Sequence, residues 1–167
     1  MANVTHKGEP VKTFSDLPKV GTVAPDFKLV KNNLEELSLK DFSGKKIILN
    51  IFMGIDTGTC STSVRKFNEK VKSLKNIVVI GVSMDLPYAL KRFCGAEGIT
   101  EVITASAFRS PDFGKNYGVS IIDGPLTAIF ARAIVIIDES RKVIYTEQVQ
   151  ETTKEPDYEK AIAAIEK

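Results

Sequence analysis

The chain has 167 residues, 23 basic and 21 acidic, for a net charge of +2. That length suits one compact domain over residues 1–167 with a real core, and its interspersed charges give no support for nucleic-acid or membrane-surface binding. The longest apolar segment, 128–137, is too short to span a bilayer and is interrupted by Arg132.

The N-terminus, MANVTHKGEP, lacks the charged and then apolar blocks of a signal peptide, so a cytoplasmic location is expected. Two cysteines in such a chain argue against a disulfide scaffold. With a single histidine, His6, they give too few soft ligands for a structural zinc site. Neither a metal nor a cofactor is expected.

Residues 3–14 alternate loosely around Lys7-Gly8-Glu9-Pro10, which predicts a small hairpin. Two prolines and a glycine make 17–25 a connector. Short extended pieces follow at 26–30 and 37–39, then a turn at 41–45. IILNIF at 47–52 reads as a buried strand, MGIDTGT as a loop, and Cys60 as the opening of an amphipathic helix. Val64, Phe67, Val71 and Leu74 recur at three- and four-residue steps and share its buried face. IVVIGVSM at 77–84 is a second buried strand, completing a βαβ unit.

A helix starts at Asp85-Leu86-Pro87 and is expected to run to Phe93 or Cys94, ended by Gly95 and Gly98. A weaker strand spans 102–108, and a short helix at 111–117 stops at Gly118. Asp123-Gly124-Pro125 marks a turn. Strands at 132–137 and 142–149 are joined by so short a link that they must be antiparallel. A last helix, capped within 153–156, carries Tyr158, Ile162 and Ile165 on one face. The sum is an α/β chain: a thioredoxin-like core, its central mixed sheet flanked by helices, with an N-terminal β-hairpin extension.

Cys60 is the first candidate for chemistry. It meets the unpaired N–H groups and positive dipole end of its helix, where a thiolate is stabilised. Inert burial is the other fate open to it. Bringing an ordinary thiol from about 8.5 to below 7 requires roughly 2 kcal/mol. A helix end supplies about 0.3–1 kcal/mol, so a nearby cation is needed. Arg65 and Lys66 fit a solvated face, and Arg132 fits either the needed cation or a strand-edge arginine paired on the surface. Thr57 and Thr59 could each cap the helix or bond a ligand beside the sulfur.

Cys94 is either a packed helix residue or a partner for Cys60. A disulfide needs Cα atoms within about 7 Å, which can demand local unwinding of either helix. A cysteine-phosphatase loop would place arginine six positions after the cysteine, where this chain has Lys66. A thioredoxin-type dithiol would need cysteine at Ser63. A Cys-His hydrolase would have to bring in His6 from the first ten residues.

NIFMGIDTGTCSTSVRKFN, RFCGAEG, YGV…DGPL, ARAIVIID and TTKEPDYEKAI together resemble the bacterial thiol peroxidases, the atypical two-cysteine peroxiredoxins. The match covers essentially the whole chain. It implies that Cys60 attacks a peroxide as a thiolate and becomes a sulfenic acid. It implies that Cys94 then forms an intramolecular Cys60–Cys94 disulfide, which thioredoxin reduces. It assigns Thr57 to holding the peroxide and Arg132 to supporting the thiolate and the polarised O–O bond. It also implies a homodimer acting on hydrogen peroxide and organic hydroperoxides.

One position departs from the resemblance. The family motif has proline seven residues before the cysteine, and this chain has Met53. Methionine frees φ and is itself oxidisable, which implies a looser and more easily overoxidised pocket. A redox-sensing interaction protein, switched by the same disulfide, is the alternative from another class.

Overall fold

A computed structural model describes residues 2–167. Strands β1 (Asn3–His6) and β2 (Glu9–Lys12) form the expected antiparallel hairpin. Its two-residue turn puts Lys7 and Gly8 at φ 53° and 85°, the left-handed pair that matches strand twist. A second hairpin, β3 (Lys28–Lys31) and β4 (Glu36–Ser38), leads through a 3₁₀ turn to β5 (Lys46–Ile51). Helix α1 (Gly58–Lys70) follows, then β6 (Ile77–Ser83), α2 (Pro87–Glu97) and β7 (Val102–Ser106). The chain closes with α3 (Asp112–Asn116), β8 (Ala133–Ile137), β9 (Val143–Gln148) and α4 (Tyr158–Glu166).

Among the described residues the main sheet has seven strands, ordered β4-β3-β7-β6-β5-β8-β9. The centre, β7-β6-β5, is parallel, as βαβ connections require. The flanking pairs are antiparallel. Side chains alternate across the sheet with period two. Ile47, Leu49 and Ile51, with Ala133, Val135 and Ile137, face a core that includes Phe113 of α3 and Tyr117 just after it. Ile48, Ile134 and Ile136 face the opposite core, with Cys60, Val64 and Phe67 of α1, Leu90 and Phe93 of α2, and Tyr158 of α4. Phe67 and Tyr158 meet edge-on at 5.2 Å, joining α1 to α4.

Several boundaries differ from expectation. Helix α2 continues through Gly95 to Glu97 and ends on Gly98 at φ 63°. Glycine inside a helix costs only about 1 kcal/mol, whereas termination favours a left-handed residue, which Gly98 supplies. Cys94 therefore lies in the last helical turn rather than at the helix end. Helix α1 stops at Lys70, before Leu74, and β7 stops at Ser106, short of 108. The cap of α4 is Asp157, whose side chain accepts from the Lys160 amide, and not a residue of 153–156. No helix among the described residues is long and apolar enough to cross a membrane.

Candidate active site

Register places the site. Ile51 at the end of β5 pairs with Ala133 at the start of β8. The loop leaving β5 and the residue preceding β8 are therefore neighbours at one edge of the sheet. That edge is the carboxyl end of the parallel strands, where open α/β sheets usually place ligands. Arg132 precedes β8 and has the parity of Ile134 and Ile136, so it enters the core beneath α1.

The loop ends at Thr57, which caps α1: its Oγ1 accepts from the Cys60 amide at 3.3 Å. Cys60 occupies the first turn and is completely buried. Arg132 is also completely buried, and its Nη2 donates to Cys60 Sγ at 3.3 Å and to the Thr152 carbonyl at 3.2 Å. A guanidinium does not lose its proton. Burying it costs several kcal/mol unless partners compensate, and the two groups it bonds are the Cys60 sulfur and the Thr152 carbonyl. Its Nε and Nη1 meet no hydrogen-bond partner among the described residues. The site thus holds a buried sulfur beside a guanidinium with two nitrogens left unpaired.

Thr57, Cys60 and Arg132 are brought together as expected; Cys94 is not bonded to them. Both cysteines are free thiols. Cys94 Sγ lies 3.4 Å from Thr104 Oγ1 on β7, and Asn32 Nδ2 donates to the same Thr104 oxygen at 3.2 Å. Burial pushes the Cys94 thiol up, and these hydrogen bonds offset the rise in part. Arg65 pairs with Glu97, and Lys66 with Glu155, on the surface as expected for a solvated face. Thr59 does not cap α1; its Oγ1 donates to the Thr153 carbonyl at 3.1 Å. Met53 is 9% exposed and packs in the same apolar cluster as Cys60.

The sequence reading missed the segment 150–153 as part of the site. Thr152 supplies the carbonyl beneath Arg132, and His6 Nδ1 lies 2.7 Å from Thr152 Oγ1. The histidine set aside as remote is thus two residues removed from the buried sulfur. No periodicity marks it, because the contact with His6 joins residues 146 apart in sequence and that with Arg132 residues 20 apart.

The fold and site together define a thioredoxin-like protein with a helix-start cysteine backed by a buried arginine. The family model described as Redoxin matches residues 19–162. The chain is 48% identical to a thiol peroxidase of Corynebacterium glutamicum over 165 residues, covering 99% of each chain. It shows the same identity and coverage with a thiol peroxidase of Mycobacterium bovis. A solved peroxiredoxin-like protein from Aquifex aeolicus superposes with a TM-score of 0.94 at 38% identity, covering 99% of this chain and 96% of that one. The chain belongs to the Redoxin family, among its thiol peroxidases.

Proposed function

We propose that Cys60 is the sulfur that reduces hydrogen peroxide and organic hydroperoxides. The observation that carries this reading is the 3.3 Å bond from buried Arg132 Nη2 to Cys60 Sγ, with Nε and Nη1 unpartnered beside it. The thiolate attacks the nearer peroxide oxygen, and the O–O bond breaks. The sulfur becomes a sulfenic acid, and the departing alkoxide or hydroxide takes a proton to leave as alcohol or water. Arg132 bears on the charge that develops on the leaving oxygen. Thr57, already fixed as the helix cap and itself exposed, hydrogen-bonds the peroxide in this reading.

Cys94 is the resolving thiol in this reading. It attacks the sulfenic sulfur, forming the Cys60–Cys94 disulfide and releasing water. Its contact with Thr104 must first be broken. The surface ion pairs Arg65–Glu97 and Arg92–Asp56 join α2 to α1 and its preceding loop. Exposed pairs of this kind are screened by solvent, so they oppose movement of α2 only weakly. Thioredoxin then reduces the disulfide by exchange. The Cys94→Ser variant is expected to oxidise at Cys60 but to fail in thioredoxin-driven cycling. Peroxide consumption coupled to thioredoxin and its reductase checks this; normal cycling without Cys94 would contradict a two-cysteine mechanism.

Two free thiols suit a reducing, cytoplasmic setting, and the family resemblance supports a homodimer. Met53 bears on durability. Met53→Pro is expected to raise turnover and resistance to inactivation, because proline fixes φ and removes an oxidisable thioether beside Cys60. Successive peroxide doses followed by an activity assay test this. Unchanged turnover and unchanged inactivation would remove Met53 from the account.

A further inference from the structure

We propose that Glu151 is a positioning residue for Arg132, and that the N-terminal hairpin is thereby a working part of the active site. This rests on the reading of Cys60 as the peroxide-reactive sulfur.

Arg132 Nη2 divides its bonding between Cys60 Sγ and the Thr152 carbonyl. Where Thr152 O sits therefore sets where the guanidinium sits. Thr152 lies between β9 and α4, outside any strand or helix that would fix it. The hairpin holds its backbone instead. The Thr152 amide donates to Thr5 O at 2.9 Å, and the Thr5 amide donates to Gln150 O at 2.7 Å. Between those two bonds stands the Glu151 carboxylate.

That carboxylate gathers donors from both partners. Thr5 Oγ1 reaches Oε2 at 2.8 Å, and the amides of Lys7 and Gly8 reach Oε1 at 3.0 Å and Oε2 at 3.1 Å. Lys7 and Gly8 are the left-handed turn residues of the hairpin, and their adjacent N–H groups converge on one anion. From its own segment, Thr153 N and Oγ1 reach Oε1 at 3.1 and 2.9 Å. On the opposite side, Thr59 Oγ1 donates to Thr153 O, tying the segment to the first turn of α1. The strip carrying Thr152 O is thus held between the hairpin and the helix that bears Cys60.

Glutamate suits the position chemically. An ionised carboxylate is acceptor-only, with about four lone-pair sites on two oxygens. Glutamine would offer one oxygen and turn an NH₂ group toward donors. The Thr5 hydroxyl and then the Gly8 amide hold the Glu151 carboxyl well below the usual carboxylate range. A depressed folded value means that the clamp is complete above the unfolded value. It is lost only as pH falls through the depressed one. Mild acid therefore leaves it in place.

The test compares the full-length protein with Glu151→Gln, Glu151→Asp and the milder Thr5→Val. Three quantities are measured: the rate of Cys60 oxidation by hydrogen peroxide, the pH midpoint of Cys60 alkylation by iodoacetamide, and thermal stability. Glu151→Gln is expected to slow oxidation about tenfold, since small displacements of a catalytic group are costly, and to move the alkylation midpoint upward. Thr5→Val should move both the same way by less, and Glu151→Asp should recover part of the loss. A lower melting temperature with unchanged rate and midpoint would reduce Glu151 to a structural clamp and overturn the inference. If the unsubstituted protein's Cys60 does not react with peroxide, the functional reading fails first, independently of Glu151.

Discussion

Replacing Arg132 with methionine is expected to slow the reaction of Cys60 with peroxide by about 10²–10³-fold without unfolding the protein. The rate effect follows from the loss of preorganised donors at the point where charge moves, a change that typically costs that much. The guanidinium touches the sulfur through Nη2 and has Nε and Nη1 to spare. A helix end alone supplies about 0.3–1 kcal/mol and cannot replace it. Stability should behave differently. Arg132 is fully buried, and its charge carries a desolvation penalty of several kcal/mol. A methionine of similar reach removes that penalty, although the Thr152 carbonyl loses its donor. The two effects oppose each other, so the melting temperature should change little. Stopped-flow oxidation and a thermal melt on the same sample separate rate from stability. A rate within a few fold of the unsubstituted protein would show that the thiolate is supported elsewhere.

Cys60→Ser is expected to reduce peroxide turnover to the uncatalysed background, the largest loss of any single change. A serine hydroxyl stays protonated near neutral pH and lacks the nucleophilic sulfur on which the chemistry depends. The fold should persist at reduced stability: serine is nearly the same size and gives Arg132 Nη2 an oxygen to bond, but a neutral hydroxyl compensates the buried guanidinium less than a thiolate does. Cys94 should then remain a free thiol after brief peroxide treatment: burial keeps it protonated and Thr104 holds it in place. Peroxide consumption with thioredoxin present, and a thiol count by mass, check both halves. Residual turnover in Cys60→Ser would transfer the chemistry to Cys94.

Much of this architecture is legible along the chain because it depends on local periodicity. The apolar, largely β-branched runs at 47–52 and 77–84 read as buried strands, and the 64–67–71 spacing reads as one helical face. Cys60 at a strand-to-helix junction is visible for the same reason. Arg132 attracted notice as a charge in an apolar run, but its place under Cys60 follows from the pairing of Ile51 with Ala133. That register joins distant segments and leaves no local mark. The end of α2 is not legible, because a glycine inside a helix and a glycine that ends one look alike in sequence; the conformation of Gly98 separates them. The clamp at Glu151 was not legible at all. It depends on a hairpin turn and a C-terminal loop meeting in space, while Glu151 itself looks like any exposed acid.

In the proposed reaction Cys60, supported by Arg132, takes oxygen from peroxide. The most direct measurement treats reduced Cys94→Ser protein with one equivalent of hydrogen peroxide and a sulfenic-acid trapping reagent, then maps the adduct by peptide mass spectrometry. The prediction is near-complete labelling of the peptide carrying Cys60, with labelling strongly reduced at the same time point when Arg132→Met is added. An unlabelled and still reduced Cys60 under these conditions would contradict the account.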